Sequence, residues 1–239
     1  MQVQVAAPAP VAVQVQVAAP VVVQAPAPVA VQVQVAAPSS YKLLGVGTDY
    51  QLYTKISLSS PWVLVPNSCC VKSVTQLSSG LIVGVGTDNK LYTKATLTSN
   101  WVLAGANTCC VTSITQLGNG ILVGVGTDNQ LYTKTTLTSP WKLGSESCCV
   151  ISAREINGVI YGVGTNFKMY TMNYITGKWN EPIANSCCIL SFAWEPSSGI
   201  IYAVGNNYKI YMKKQLSGTW IYGGDNTCCI IDIAILHTY

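Results

Sequence analysis

The chain has 239 residues, of which 49% are hydrophobic and 9% charged, with 13 Lys and Arg against 9 Asp and Glu for a net charge of +4. It is too apolar for a disordered chain and long enough to bury a core. Its basic residues are scattered rather than clustered, so nothing would neutralise a run of phosphates, which argues against nucleic acid as a partner.

Residues 1–40 form a compositional segment of their own. They comprise Ala, Val, Pro and Gln with the initial Met and two Ser, carry no charge, and repeat Ala7–Pro20 identically as Ala25–Pro38. Prolines every few residues forbid a helix, while Val-Gln alternation suits short extended or polyproline-like pieces. A secretory signal would need a basic start, and a membrane helix about 20 unbroken apolar residues. The segment reads as neither, and no membrane insertion is expected. It resembles in composition the Ala-Ala-Pro-rich stretches of extracellular structural proteins such as cuticle components. Two readings stay open: a flexible linker or pro-segment, and a self-associating tail.

From Tyr41 onward a unit of about 40 residues recurs five times. Trp62, Trp101, Trp141, Trp179 and Trp220 mark the copies, followed by the pairs Cys69-Cys70, Cys109-Cys110, Cys148-Cys149, Cys187-Cys188 and Cys228-Cys229. All ten cysteines therefore sit at one repeat position. In the second copy, residues 81–87 predict an inner strand. Asp88-Asn89 predicts a two-residue hairpin turn, because both side chains tolerate positive φ. Residues 90–96 alternate as the return strand, a short strand follows at Trp101–Leu103, and Val111–Leu117 alternates again up to a Gly-Asn-Gly turn. Four short strands per copy without a helical period are the dimensions of a β-propeller blade, and five copies imply five blades.

The two ends of the array complement each other. The first copy lacks a strand before its Gly-Val-Gly segment, whereas the last runs past Cys228-Cys229 into Ile230–Leu236. A C-terminal strand completing the first blade gives a closed all-β propeller over residues 41–239; an open solenoid would carry polar caps instead.

Phe192–Gly205, followed by Lys209-Ile-Tyr-Met-Lys213 and Trp220, resembles a blade of the tachylectin and tectonin class of five-bladed propeller lectins. The resemblance implies binding of acetylated amino sugars such as N-acetylglucosamine at sites between adjacent blades. This chain departs from that class where Gly-Gly-Trp commonly precedes the inner strand: it has Asn67, Asn107, Asn185 and Asn226 in Asn-Ser/Thr-Cys-Cys, with Glu146 as the exception.

The even number and regular position of the cysteines favour an oxidising, extracellular compartment. Neighbouring residues of a strand face opposite sides, so five cross-links could run round the ring: Cys70 with Cys109, Cys110 with Cys148, Cys149 with Cys187, Cys188 with Cys228, and Cys229 with Cys69. Each consecutive link closes a loop of about 40 residues, which is worth ~4 kcal/mol of chain entropy. Sheets pack ~10 Å apart while a disulfide needs Cα atoms within ~7 Å, so only blades converging near the axis satisfy both conditions. Bonds within each adjacent pair, and reduced thiols, are the alternatives.

No metal or other cofactor is expected, since adjacent thiols chelate a tetrahedral ion poorly and His237 is the only histidine. No enzyme is expected either. The repeated acids Asp49, Asp88 and Asp128 fall in hairpin turns, and no helix follows Gly-Val-Gly to make a phosphate loop. Each repeat Trp either stacks on a sugar ring or fills the outer part of a blade. Each Asn before a Cys pair either bonds a ligand or caps a turn. Two functions are consistent with these residues: a multivalent carbohydrate-binding protein, and an extracellular structural or adhesive protein with a self-associating tail.

Overall fold

The computed structural model describes residues 41–144 and 148–237, so the readings placed on segment 1–40 and on Glu146 lie outside the described residues. The strands in chain order are β1 (Tyr41–Gly47), β2 (Leu52–Lys55), β3 (Val63–Leu64), β4 (Val71–Gln76), β5 (Ile82–Gly86), β6 (Leu91–Lys94) and β7 (Val102–Leu103). They continue with β8 (Val111–Gln116), β9 (Leu122–Gly126), β10 (Leu131–Lys134), β11 (Lys142–Leu143), β12 (Val150–Ile156), β13 (Val159–Gly164) and β14 (Met169–Met172). The last are β15 (Ile189–Glu195), β16 (Ile200–Gly205), β17 (Ile210–Lys213), β18 (Ile221–Tyr222) and β19 (Ile230–His237).

These strands form five antiparallel sheets, ordered β19-β1-β2-β3, β4-β5-β6-β7, β8-β9-β10-β11, β12-β13-β14 and β15-β16-β17-β18, which we number as blades 1 to 5. The C-terminal strand closes the ring as expected: β19 pairs antiparallel with β1 from Tyr41↔His237 to Gly47↔Ile230. Five apolar clusters lie one at each junction of neighbouring blades. That of blades 5 and 1, with Leu43, Tyr202, Val204, Ile210 and Ile233, seals the circle. Because both faces of a blade are covered, β5 is buried along its whole length rather than at alternate residues.

The strand over residues 81–87, expected from sequence to be an inner one, is second from the axis. β4, β8, β12, β15 and β19, which follow the cysteine pairs, neighbour one another in a closed ring and line the axis, with β1, β5, β9, β13 and β16 outside them. The Gly-Val-Gly pattern then has a steric cause. A Cβ on Gly84 would lie 2.7 Å from Trp101 Cη2, and one on Gly86 2.7 Å from Tyr92 Cε2, so the two glycines seat the aromatic rings of their own blade.

Blade 4 follows the four-strand plan with its outermost strand reduced to one bridge, the Asn180 N–H donating to the Thr171 carbonyl at 2.8 Å. One extra residue separates Trp179 from Ile183, whose N–H bonds the Met169 carbonyl as Val65 bonds Leu52 in blade 1. Pro182 within that insertion has no N–H to offer a ladder.

Five residues, one per innermost strand, occupy the axis: Ser73, Ser113, Ser152, Ser191 and Asp232, all buried. Asp232 accepts the Val74 N–H of blade 2 at 2.8 Å and the Ser191 hydroxyl of blade 5. It also pairs at 3.1 Å with the Arg154 guanidinium of blade 4, the only arginine in the chain. Arg154 donates in turn to the Ile114 carbonyl of blade 3 at 3.1 Å, so one polar network touches all five blades. Removing one member of a buried pair leaves the other charge uncompensated, at a cost of about 3–5 kcal/mol. Asp232→Ala is therefore expected to lower the unfolding free energy by that amount in urea titration, and a loss below about 1 kcal/mol would show that the ring does not rely on this pair.

Candidate functional site

The site is built from a hairpin tip and a cysteine pair. The hairpin joining β5 and β6 closes over three residues, Thr87, Asp88 and Asn89, one more than the sequence suggested. Gly86 N–H bonds the Lys90 carbonyl at 2.8 Å, and only Asn89 takes positive φ, at 65°. Tyr50, Asn129, Phe167 and Tyr208 hold the same position in the other blades, at φ 61–63°. The carbonyl of this residue reaches the next blade: that of Tyr50 accepts the N–H groups of Cys70 at 2.9 Å and Val71 at 3.0 Å. The Cys70 carbonyl in turn accepts the Thr87 N–H at 2.9 Å, so each cysteine pair is clamped between two successive hairpins.

The cysteines bond within their pairs and not between blades. The five disulfides are Cys69–Cys70, Cys109–Cys110, Cys148–Cys149, Cys187–Cys188 and Cys228–Cys229, with Cα atoms 3.7–3.8 Å apart. The expected ring of cross-links assumed that both cysteines lie in a strand and face opposite sides. In the structure each pair precedes the innermost strand, and its second member takes φ between 74° and 84°, which breaks the alternation and brings the two sulfurs together. All ten half-cystines are exposed.

Four of the disulfides form one wall of a small pocket. In blade 1 the lining comprises Cys228, Cys229, Gly47, Thr48, Asp49, Tyr53 and Trp62, around a cavity of about 260 Å³. Blades 3, 4 and 5 repeat it with volumes of about 230, 260 and 230 Å³. In blade 2 the same residue types recur as Cys69, Cys70, Thr87, Asp88, Tyr92 and Trp101. Each lining is drawn from a single sheet, unlike the sites between blades that the family resemblance implies.

Two polar patterns occur at the rim. In blades 1, 2 and 3 the Tyr hydroxyl donates to an Asp carboxylate: Tyr53 to Asp49 at 2.7 Å, Tyr92 to Asp88 at 2.8 Å and Tyr132 to Asp128 at 2.7 Å. These bonds hold Asp49 and Asp128 below the usual carboxylate range and raise the three tyrosines. At Asp88 desolvation pushes upward, but the Tyr92 bond, the Lys90 N–H and the Lys90 charge outweigh it, and the net direction is again down. In blades 4 and 5 the direction reverses, Asn166 Nδ2 donating to Tyr170 Oη at 2.7 Å and Asn207 Nδ2 to Tyr211 Oη at 2.8 Å.

Of the residues singled out from the sequence, the five Trp are half-buried and pack into the blades. Trp62, Trp141, Trp179 and Trp220 also line the cavities, so core filling and ligand contact are two faces of one ring. Their indole Nε1 atoms are buried without a hydrogen-bond partner among the described residues. The Asn residues do not line these cavities. Asn107, Asn185 and Asn226 donate their side-chain amides to the Thr138, Ser217 and Ser59 carbonyls of the following blade at 3.1–3.2 Å. The pocket residues Asp49, Asp88 and Asp128 were read from sequence only as hairpin-turn positions, and the pocket Asn and Tyr residues were not singled out as ligand groups. Their recurrence four residues apart around each hairpin is the signal that could have paired them.

No protein-family model matches the chain, and no curated protein matches it either. Among solved structures, a chain from a crystal structure of a nidogen/laminin complex is similar, with a TM-score of 0.55 at 8% identity, covering 83% of this chain and 99% of that one. A second, YCF48 bound to a D1 peptide, gives a TM-score of 0.44 at 16% identity, covering 76% of this chain and 63% of that one. The first likeness supports the propeller fold and nothing finer.

Beneath the Trp rings lie buried lysines. Lys55, Lys94, Lys134 and Lys213 place Nζ 4.2–5.4 Å from the centroids of Trp62, Trp101, Trp141 and Trp220, and Met172 holds the corresponding place in blade 4. Lys94 and Lys134 donate to the Asn67 and Asn107 carbonyls at 3.0 Å, fastening the loop before the cysteine pair. Burial lowers all four, and pulls Lys213 from 10.5 to about 8. Between those values unfolded Lys213 holds a proton that the folded chain does not, so stability rises with pH through this window. Lys213→Met, copying blade 4, is expected to remove that rise. Urea unfolding of both proteins at several pH values across the window checks it; a parallel pH dependence would contradict the assignment.

Proposed function

We propose that the protein is a multivalent carbohydrate-binding protein that recognises N-acetylated sugars in pockets beside its disulfides. The observation that carries this reading is a single cavity design repeated round the ring: an indole ring, a tyrosine and a disulfide for walls, with a carboxylate or amide and a hydroxyl at the rim. Apolar walls match the C–H face of a sugar, and the rim groups match its hydroxyl and acetamido groups. The small cavities suit one sugar ring each, so useful affinity comes from several weak sites engaging a repetitive glycan. Exposed disulfides persist in oxidising surroundings, which supports an extracellular protein. This reading is one of binding and assigns no catalytic step. In calorimetry, N-acetylglucosamine is expected to bind the full chain at more than one site, and Tyr211→Ala to remove one of them. Polymer-linked sugar should bind ~10²-fold or more tighter than free sugar. Absence of binding to any N-acetylated sugar would end this reading.

A second reading, an extracellular structural or adhesive protein, is favoured by the blade rims. The outermost strands expose Val63, Leu64, Val102, Leu103, Leu143 and Ile221 at 47–63% of their surface, on edges with unpaired backbone groups. Under it, sedimentation shows reversible self-association that rises with concentration, and Val102→Lys weakens it. A monomer at all concentrations would exclude it.

A further inference from the structure

The pockets share walls but not hydrogen-bonding polarity. In blades 4 and 5 the orientation of the Asn amide is fixed by the backbone. The N–H groups of Lys168 and Lys209 donate to Asn166 Oδ1 at 3.2 Å and Asn207 Oδ1 at 3.3 Å, so Nδ2 must face the tyrosine oxygen. The hydroxyl protons of Tyr170 and Tyr211 are then not spent on that neighbour and can donate to a ligand. In blades 1 and 3 the tyrosine proton is committed to Asp49 or Asp128, so the Asp–Tyr pair offers a ligand acceptors only, beside the hydroxyl of Thr48 or Thr127.

Charge divides the pockets the same way. Two residues after the Asp or Asn, the hairpins carry Gln51, Lys90, Gln130, Lys168 and Lys209 in blades 1 to 5. Blades 1 and 3 therefore carry a carboxylate with no cation on the hairpin. In blade 2, Lys90 lies 3.6 Å from Asp88 and offsets it. The hairpins of blades 4 and 5 carry a lysine and no acid, and Lys209 Nζ lies over the Tyr222 ring at 5.1 Å.

Resting on the sugar-binding reading, we infer that the pockets form two ligand classes. Those of blades 1 and 3 take amino sugars with a free ammonium group, and those of blades 4 and 5 take N-acetylated sugars, whose acetyl carbonyl accepts the tyrosine O–H. One propeller thus reads a partly deacetylated glycan, and Asp49, Asp128, Asn166 and Asn207 determine specificity. Blade 2 lies between the classes.

The test uses glucosamine and N-acetylglucosamine on the full chain at about pH 6, where such amines are cationic, in low salt. Asp49→Asn with Asp128→Asn copies the residue native to blades 4 and 5, so folding is preserved. The double variant is expected to lose at least ten-fold in glucosamine affinity and to keep its N-acetylglucosamine binding, while Asn166→Asp with Asn207→Asp does the reverse. Glucosamine binding that is unchanged in the first variant, or equal loss of both sugars, overturns the two-class assignment and leaves the sugar-binding reading standing. If neither sugar binds the parent chain, both fall together.

Discussion

The fold depends on one buried ion pair that breaks its own symmetry. Five similar repeats packed round an axis present a problem of register, because each innermost strand is flanked by neighbours much like any other. Four of the five axial positions are Ser and could exchange places at little cost. Asp232 cannot, since it needs the Arg154 guanidinium that only blade 4 supplies, together with the Val74 N–H and the Ser191 hydroxyl. Burying two charges is expensive, and a well-packed apolar pair of equal volume could be as stable. The physical return is discrimination: a β19 seated against the wrong pair of blades leaves both charges buried and unpaired.

The ring in turn explains the loops. A propeller has no crossover helices to fix the spacing of its blades, so the connections carry that task. The Asn-Ser/Thr-Cys-Cys segment is gripped from several sides. A lysine of the next blade takes the Asn carbonyl, the Asn amide reaches a carbonyl of that blade, and a buried Ser68 or Ser186 hydroxyl turns the chain, bonding the Val65 or Ile183 carbonyl at 2.6 Å. Residues that look like ligand-binding groups in sequence, polar and repeated in a loop, are used up by the architecture. The groups left facing outward come from the hairpin on the other side of the cysteines.

The period, the strands and the ring closure were legible in the sequence because they are one-dimensional properties: spacing, alternation of two residues, and a surplus strand at one end matched by a deficit at the other. The order of strands from the axis was not. Gly84 and Gly86 read as an inner strand because they are apolar and small, yet they are small to admit Trp101 and Tyr92. Nor was the cysteine pairing legible, since strand alternation holds only inside a strand and the positive φ of Cys70 and its counterparts is a property of the clamped loop. Arg154 and Asp232 were visible only as departures from a repeat. Their 78-residue separation gives no hint that they meet.

What the disulfides contribute is shape. A bond between adjacent residues closes almost no loop, so the chain-entropy term that makes most disulfides stabilising is nearly absent here. Holding a non-glycine residue at positive φ costs about 1–2 kcal/mol on its own, and that conformation is fixed in all five pairs by the bond together with the hairpin hydrogen bonds around it. Under the proposed sugar-binding function, a wall that cannot relax holds the pocket in a binding-ready form, and a weak ligand would spend none of its binding energy on ordering it. In a ring of small, shallow pockets, where each site has little contact area to offer, rigidity of this kind is the available route to affinity. This accounts for a chain that places every cysteine it has on the surface rather than across its core.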